Sequence, residues 1–183
     1  MGCDIHMYLE YSMKSKSSKT DAEKQNAYWV NFGSHFNPGR HYDLFGFLSK
    51  GVRGGDSKDA FTPKGIPENI GAFTFEDYYM FVIDDDEGDF EGCVNLKTAI
   101  EWVENYGSDA LYRDMTTDGA KVLTHVASPD WHSMNVITLE EYKLALDNFG
   151  TSLGLVEFLA ILAAMENLEA NGHETRLVFW FDN

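Results

Sequence analysis

Cys3-Asp4-Ile5-His6-Met7-Tyr8-Leu9-Glu10-Tyr11 alternates apolar and polar side chains. Cys3, Ile5, Met7 and Leu9 form one row, while Asp4, His6, Tyr8 and Glu10 face the other way. Successive side chains of an extended chain point to opposite faces, so the stretch predicts a half-buried β-strand. Arg176 to Asp182 reads as a second strand, because Leu177, Val178, Phe179, Trp180 and Phe181 favour extended backbone. Arg176, Val178, Trp180 and Asp182 would share one of its faces. These terminal strands are expected to be neighbours in one mainly antiparallel sheet with helices packed against it, a single α+β domain over residues 1–183.

Working inward, Tyr28 to Phe32 is expected to return beside the first strand, after a polar mobile loop at 13–25. Tyr42, Leu44, Phe45 and Leu48 have helical spacing, and Gly51 stops that helix. The Gly- and Pro-containing stretch from Val52 to Gly71 is long for a compact domain, and such loops are functional or loosely ordered. Tyr78 to Ile83 reads as a strand and Leu96 to Tyr106 as an amphipathic helix ending at Gly107. Residues 108–133 read as irregular, with a short helix around Asp118 to His125. Thr138-Leu139-Glu140-Glu141 is a capping box opening a helix to Phe149, and Ser152 to Ala170 is a second, more buried helix.

The chain has 183 residues, 44% hydrophobic and 14% aromatic, enough for a sizeable core. Lys and Arg number 14 against 30 Asp and Glu, a formal charge of -16. Such a surface repels phosphate backbones, which argues against non-specific nucleic-acid binding. Cys3 and Cys93 are too few for a disulfide scaffold and no secretory signal is evident, so a cytoplasmic location is expected. The most apolar stretch, Leu153 to Met165, is too short to span a bilayer, so no membrane partner is expected. Asp84 to Asp89 does not match an EF-hand loop and reads as a solvated tip.

Two dyads carry the chemistry. Asp4 and His6, and Asp130 and His132, each set a carboxylate and an imidazole at i and i+2. Brought together, the four would ligate a divalent metal such as Mn, Mg or Zn, with Asp130 and His132 also supplying acid/base catalysis. Each dyad also has an ordinary reading, a solvent-facing strand edge for the first and a turn with Asp130 capping local amides for the second. Arg40 and Arg53 are candidates for anion recognition, assisted by Tyr42 and Ser133; the plainer alternative for an Arg in so acidic a chain is a structural ion pair, with Asp43 or Asp182. No P-loop, dinucleotide fingerprint, zinc-protease or nucleophile-elbow signature is present.

The segments Met1 to His6, Arg40 to Phe45 with Val52-Arg53, Gly65-Ile66-Pro67, Asp130 to Ser133 and Phe179 to Asn183 resemble a family of uncharacterised bacteriophage and prophage proteins. Its members begin Met-Gly-Cys-Asp-Ile-His and end Phe-Trp-Phe-Asp-Asn; His41 departs from the family's usual Asn. The resemblance implies a viral setting, in the host cytoplasm, and by analogy interference with a host nucleotide signal. The leading expectation is thus a metal-dependent phosphoesterase acting on a small phosphorylated molecule or nucleotide. A non-catalytic sponge for such an anion is the first alternative. An acidic inhibitor of a host nucleic-acid enzyme, acting through Asp84 to Asp89, Glu101, Glu104 and Asp109, is the second.

Overall fold

The computed structural model describes residues 2–13, 28–53, 58–84, 90–114, 120–149 and 156–182. In chain order the elements are β1 (Asp4–Ser12), β2 (Trp29–Asn31), α1 (Tyr42–Leu48), α2 (Ala72–Tyr78), β3 (Tyr79–Ile83), β4 (Cys93–Asn95) and α3 (Leu96–Glu101), which runs on into a π-helical turn (Trp102–Tyr106). Then follow β5 (Ala110–Asp114), β6 (Lys121–Ala127), β7 (His132–Thr138), α4 (Leu139–Phe149), α5 (Val156–Ala170) and β8 (Thr175–Asp182). The chain is α+β and forms two compact units, residues 1–74 with 132–183, and residues 75–131.

The first unit is built on a four-stranded sheet in the order β2-β1-β8-β7. β1 and β8 pair antiparallel from Asp4↔Asp182 to Tyr11↔Thr175, so the terminal strands are neighbours as their alternation implies. β2 returns beside β1, with Glu10 opposite Asn31. One face buries Cys3, Ile5, Met7 and Leu9 with Leu177, Phe179 and Phe181 against α1, α4 and α5. The helices contribute Leu44, Phe45 and Leu48, Tyr142 and Ala145, and Phe158, Ile161 and Met165. α4 starts at the expected capping box: Glu141 N donates to Thr138 Oγ1 at 3.3 Å and Thr138 N to Glu141 Oε2 at 2.9 Å.

β1 is not half-buried. Tyr8, Glu10 and Ser12 on its polar face are buried too, as are Arg176, Val178 and Trp180 beside them on β8. Alternation marks which side chains share a face, but a polar row can still be buried when its groups pair with one another. Glu10 and Arg176 do so, their side chains 2.7 Å apart at the closest oxygen and nitrogen. Gly71 N and Thr74 Oγ1 also donate to Glu10, at 2.7 and 2.5 Å, which ties down the end of the long loop.

The second unit holds a second four-stranded sheet, in the order β4-β3-β6-β5. The described residues therefore form two sheets, and the terminal strands belong to one of them. Residues 110–114 and 121–127 are strands of an antiparallel pair, in place of the irregular segment and short helix expected there. A register shift at Leu111 and Tyr112 breaks the alternation that would have marked the pair. Ala72–Tyr78 is a helix, and the strand read as starting at Tyr78 starts at Tyr79. Helix 96–106 forms as expected, its second half in π geometry, and Gly107 ends it with φ 68°. Residues 14–25 of the expected loop, Asp85 to Asp89 of the acidic run and Ser152 to Leu155 of the last helix lie outside the described residues.

Candidate functional site

The candidate residues of the first unit gather at the end of its sheet where β1 begins and β8 finishes. Asp4 lies opposite Asp182, and His132, the first residue of β7, lies opposite Phe181. Directly paired residues share a face. Asp4, His6 and Asp182 are therefore on the face of Trp180, and His132 is on the core face, its ring 6.0 Å from that of Phe181.

On the Trp180 face, Asp4 is held by Arg40 through two parallel bonds, Nε to Oδ1 and Nη2 to Oδ2, both 2.7 Å. The arginine keeps the Asp4 carboxyl below the usual carboxylate range, and Asp4 in turn holds the guanidinium charged. Arg40 lies against Gly2, where a Cβ would stand 2.1 Å from Nη1. A glycine before Cys3 thus leaves room for the arginine. His6 Nε2 is 3.1 Å from Asp182 Oδ2, and Asp182 Oδ1 accepts from Asp4 N at 3.1 Å. The His6 ring stacks on Trp180 with centroids 5.4 Å apart and planes at 4°. The partner of His6 is therefore Asp182, from the other end of the chain, and the Arg40 ion pair is with Asp4 rather than Asp43 or Asp182.

On the core face, β7 bulges between His132 and Asn135, and Ser133 adopts a left-handed φ of 55°. A side chain in that region costs about 1–2 kcal/mol, so the surroundings must impose it. They do: Ser49 Oγ donates to Ser133 O at 2.8 Å, and Asn135, fully buried, donates to Leu48 O at 2.9 Å. Both bonds fasten the bulge to the end of α1. Ser133 Oγ is 3.1 Å from His132 Nδ1, and His132 Nε2 is buried with no hydrogen-bond partner among the described residues. Burial lowers the His132 pKa, with Asp182 opposing and Arg53 adding to the shift.

Arg53 stands with its guanidinium 5.7 Å from the centroid of the Tyr42 ring and forms no ion pair among the described residues. Tyr42 also helps hold Arg40 charged, so it neighbours both arginines. Cys3, buried on the core face, feels Arg53, Asp182, Asp4 and Arg40, although burial dominates and pushes its thiol up.

Asp130 belongs to the second unit, and His132 to the first. Asp130 is exposed in a turn, where its amide donates to Ser128 Oγ at 3.3 Å. The four expected metal ligands thus fall into three settings: Asp4 and His6 on one face, His132 on the other, Asp130 in the second unit. Among the described residues no group of three or more His, Cys, Asp or Glu side chains is arranged to hold a metal ion. Asp4, moreover, is committed to Arg40.

Asn135 and Ser49, which shape the bulge, give no signal in the sequence. Asp182 does, because its period-two position puts it beside the first strand's polar row. Comparisons with family models, with curated proteins and with solved structures gave no match.

Proposed function

We propose that the chain binds a small anionic ligand, a phosphorylated molecule or nucleotide, at the His132 end of the first sheet without transforming it. The observation that carries this reading is Arg53. In a chain of charge -16 it stands on an aromatic ring and pairs with no carboxylate among the described residues. A planar guanidinium of this kind offers paired donors to phosphate oxygens. The His132–Ser133 bulge lies close enough for Arg53 to add to the lowering of the His132 pKa, which places the arginine at this end of the sheet. Tyr42 backs the arginine. Arg40 is reserved by Asp4 and becomes available only when that pair opens.

A hydrolytic reading rests on a different observation, the carboxylate of Asp182 orienting His6. An imidazole so oriented suits proton transfer, or metal ligation with Asp182 as outer partner. The phosphoesterase form of that reading requires Asp4 to leave Arg40 and further ligands to arrive. A role against host nucleotide signalling extends either reading through the phage resemblance alone.

The two readings separate in one assay. The protein is incubated with nucleoside monophosphates and a cyclic dinucleotide, with and without Mn, Mg or Zn, then denatured, and the nucleotides are chromatographed. Retention of an intact nucleotide that Arg53→Met abolishes supports binding. Product formation that His6→Gln abolishes supports hydrolysis and rejects the binding-only account.

A further inference from the structure

His125 stands on β6 of the second unit, at the bulge that breaks the β5–β6 pairing. Leu111 lies opposite His125 and Tyr112 opposite Leu123, so Thr124 is the extra residue between them. The Thr124 hydroxyl donates to Leu111 O at 3.1 Å. It carries one proton, so toward the imidazole it accepts. His125 Nδ1, 3.0 Å from Thr124 Oγ1, therefore carries the proton of the neutral ring. Nε2 is left as a bare lone pair, buried and with no hydrogen-bond partner among the described residues. Two phenyl rings pack on the imidazole: Phe81 of β3, with centroids 4.3 Å apart, and Phe75 of α2, at 5.0 Å. A buried polar atom without a partner calls for a physical account.

The titratable neighbours on this face of the sheet are Tyr79 on β3, Cys93 on β4 opposite Phe81, and Arg113 two residues beyond Leu111 on β5. Helix α2 adds Glu76 and Asp77, next to Phe75 in the chain. None of them partners the imidazole, and burial rather than any of these charges pushes the His125 pKa down. We propose that His125 is an acid-sensitive latch of the second unit, holding β3, β6 and α2 together while its ring is neutral and releasing them when Nε2 takes a proton. That proton creates a buried donor without an acceptor and a charge without a counter-ion. The ring regains a partner by turning out to water, which withdraws it from Phe75 and Phe81. Phe81, already 56% exposed, offers little resistance to that movement. The closed form has the lower pKa, so the latch is fully closed above the pKa of the opened form and is lost as pH falls through that of the closed one.

Two measurements on the full chain test this. Proton–nitrogen NMR of the His125 ring reports its tautomer and its titration; the expected result is a proton on Nδ1 at neutral pH and a midpoint below the ordinary histidine value. Amide exchange read by mass spectrometry, corrected for its intrinsic pH dependence, reports opening of the segments that hold β3 and β6. Exchange there is expected to accelerate by about 3-fold or more between about pH 7.5 and about pH 5 in the wild type. His125→Phe fills the aromatic site without titrating, and it should remove that acceleration. Circular dichroism checks that the variant folds; if it does not, the wild-type ring titration decides alone. A proton found on Nε2 at neutral pH overturns the proposal, and so does equal acceleration in the folded variant. A midpoint at or above the ordinary value does so as well, since Phe75 and Phe81 would then be stabilising the imidazolium.

Discussion

Glu10→Gln is expected to be among the most damaging conservative changes in the first unit. The Glu10 side chain is fully buried, and its oxygens accept from Arg176 Nε at 2.8 Å, Arg176 Nη2 at 2.7 Å, Gly71 N at 2.7 Å and Thr74 Oγ1 at 2.5 Å. Arg176, with an 11% exposed side chain, lies over Trp29 at 3.9 Å and also donates to Asn69 O. Glutamine keeps the volume but removes the charge that neutralises the guanidinium, and its amide turns a donor toward groups that themselves donate. Breaking a buried ion pair from one side costs about 3–5 kcal/mol. At a urea slope of about 2 kcal/mol per molar, the unfolding midpoint should fall by about 1.5–2.5 M. Urea unfolding followed by circular dichroism measures this. Glu10→Met with Arg176→Met, which removes both charges, should recover a large part of the loss, because a buried pair often costs little to replace as a whole. A Glu10→Gln midpoint within about 0.3 M of wild type would mean that the carboxylate does not compensate a buried cation.

Three further outcomes follow from the same structure. Ser133→Gly relieves a left-handed residue and should raise stability by about 1 kcal/mol in thermal or urea unfolding, while weakening anion binding through the lost contact to His132; a loss of stability would show that the bulge is not strained. Burial pushes the Glu141 pKa up, but Lys64 and the Thr138 amide more than reverse this, so its folded pKa lies below the ordinary glutamate value; the stability it contributes is present above the unfolded pKa and is lost as pH falls through the folded one, and Lys64→Met should flatten that acid limb in unfolding titrations. Asp4→Asn should leave the fold intact and tighten phosphate binding, because Arg40 is released; unchanged or weaker binding in calorimetry would show that Arg40 has no access to the ligand.

The frame was readable from both chain ends because extended segments with a period of two declare their faces. Helix α4 was readable from its capping box, and Gly107 marked the end of the π turn. The β5–β6 pair was not, since the bulge at Leu111 and Tyr112 interrupts its alternation. The buried Glu10–Arg176 pair was hidden for another reason: the partners are far apart in the chain, and a charged residue on a strand's polar face looks solvated until its partner is in place. At the candidate site, Arg40, Tyr42, Arg53, His132 and Ser133 could be named from residue type, but the partners of His6 and Arg40 could not. Spacing at i and i+2 sets a shared face within one strand and says nothing about which face another strand's residue will occupy. Asp4 and His6 consequently fall opposite His132 across the same sheet.

Arg53, standing on Tyr42 beside the His132–Ser133 bulge, is the cation proposed to hold a small phosphorylated ligand. Isothermal titration of the full chain with inorganic phosphate and a nucleoside monophosphate, for wild type and Arg53→Met, tests it most directly. Saturable binding that the variant loses by about 10-fold or more is expected, since one charge-assisted contact disappears. Identical heats for the two proteins, or none for either, would contradict it.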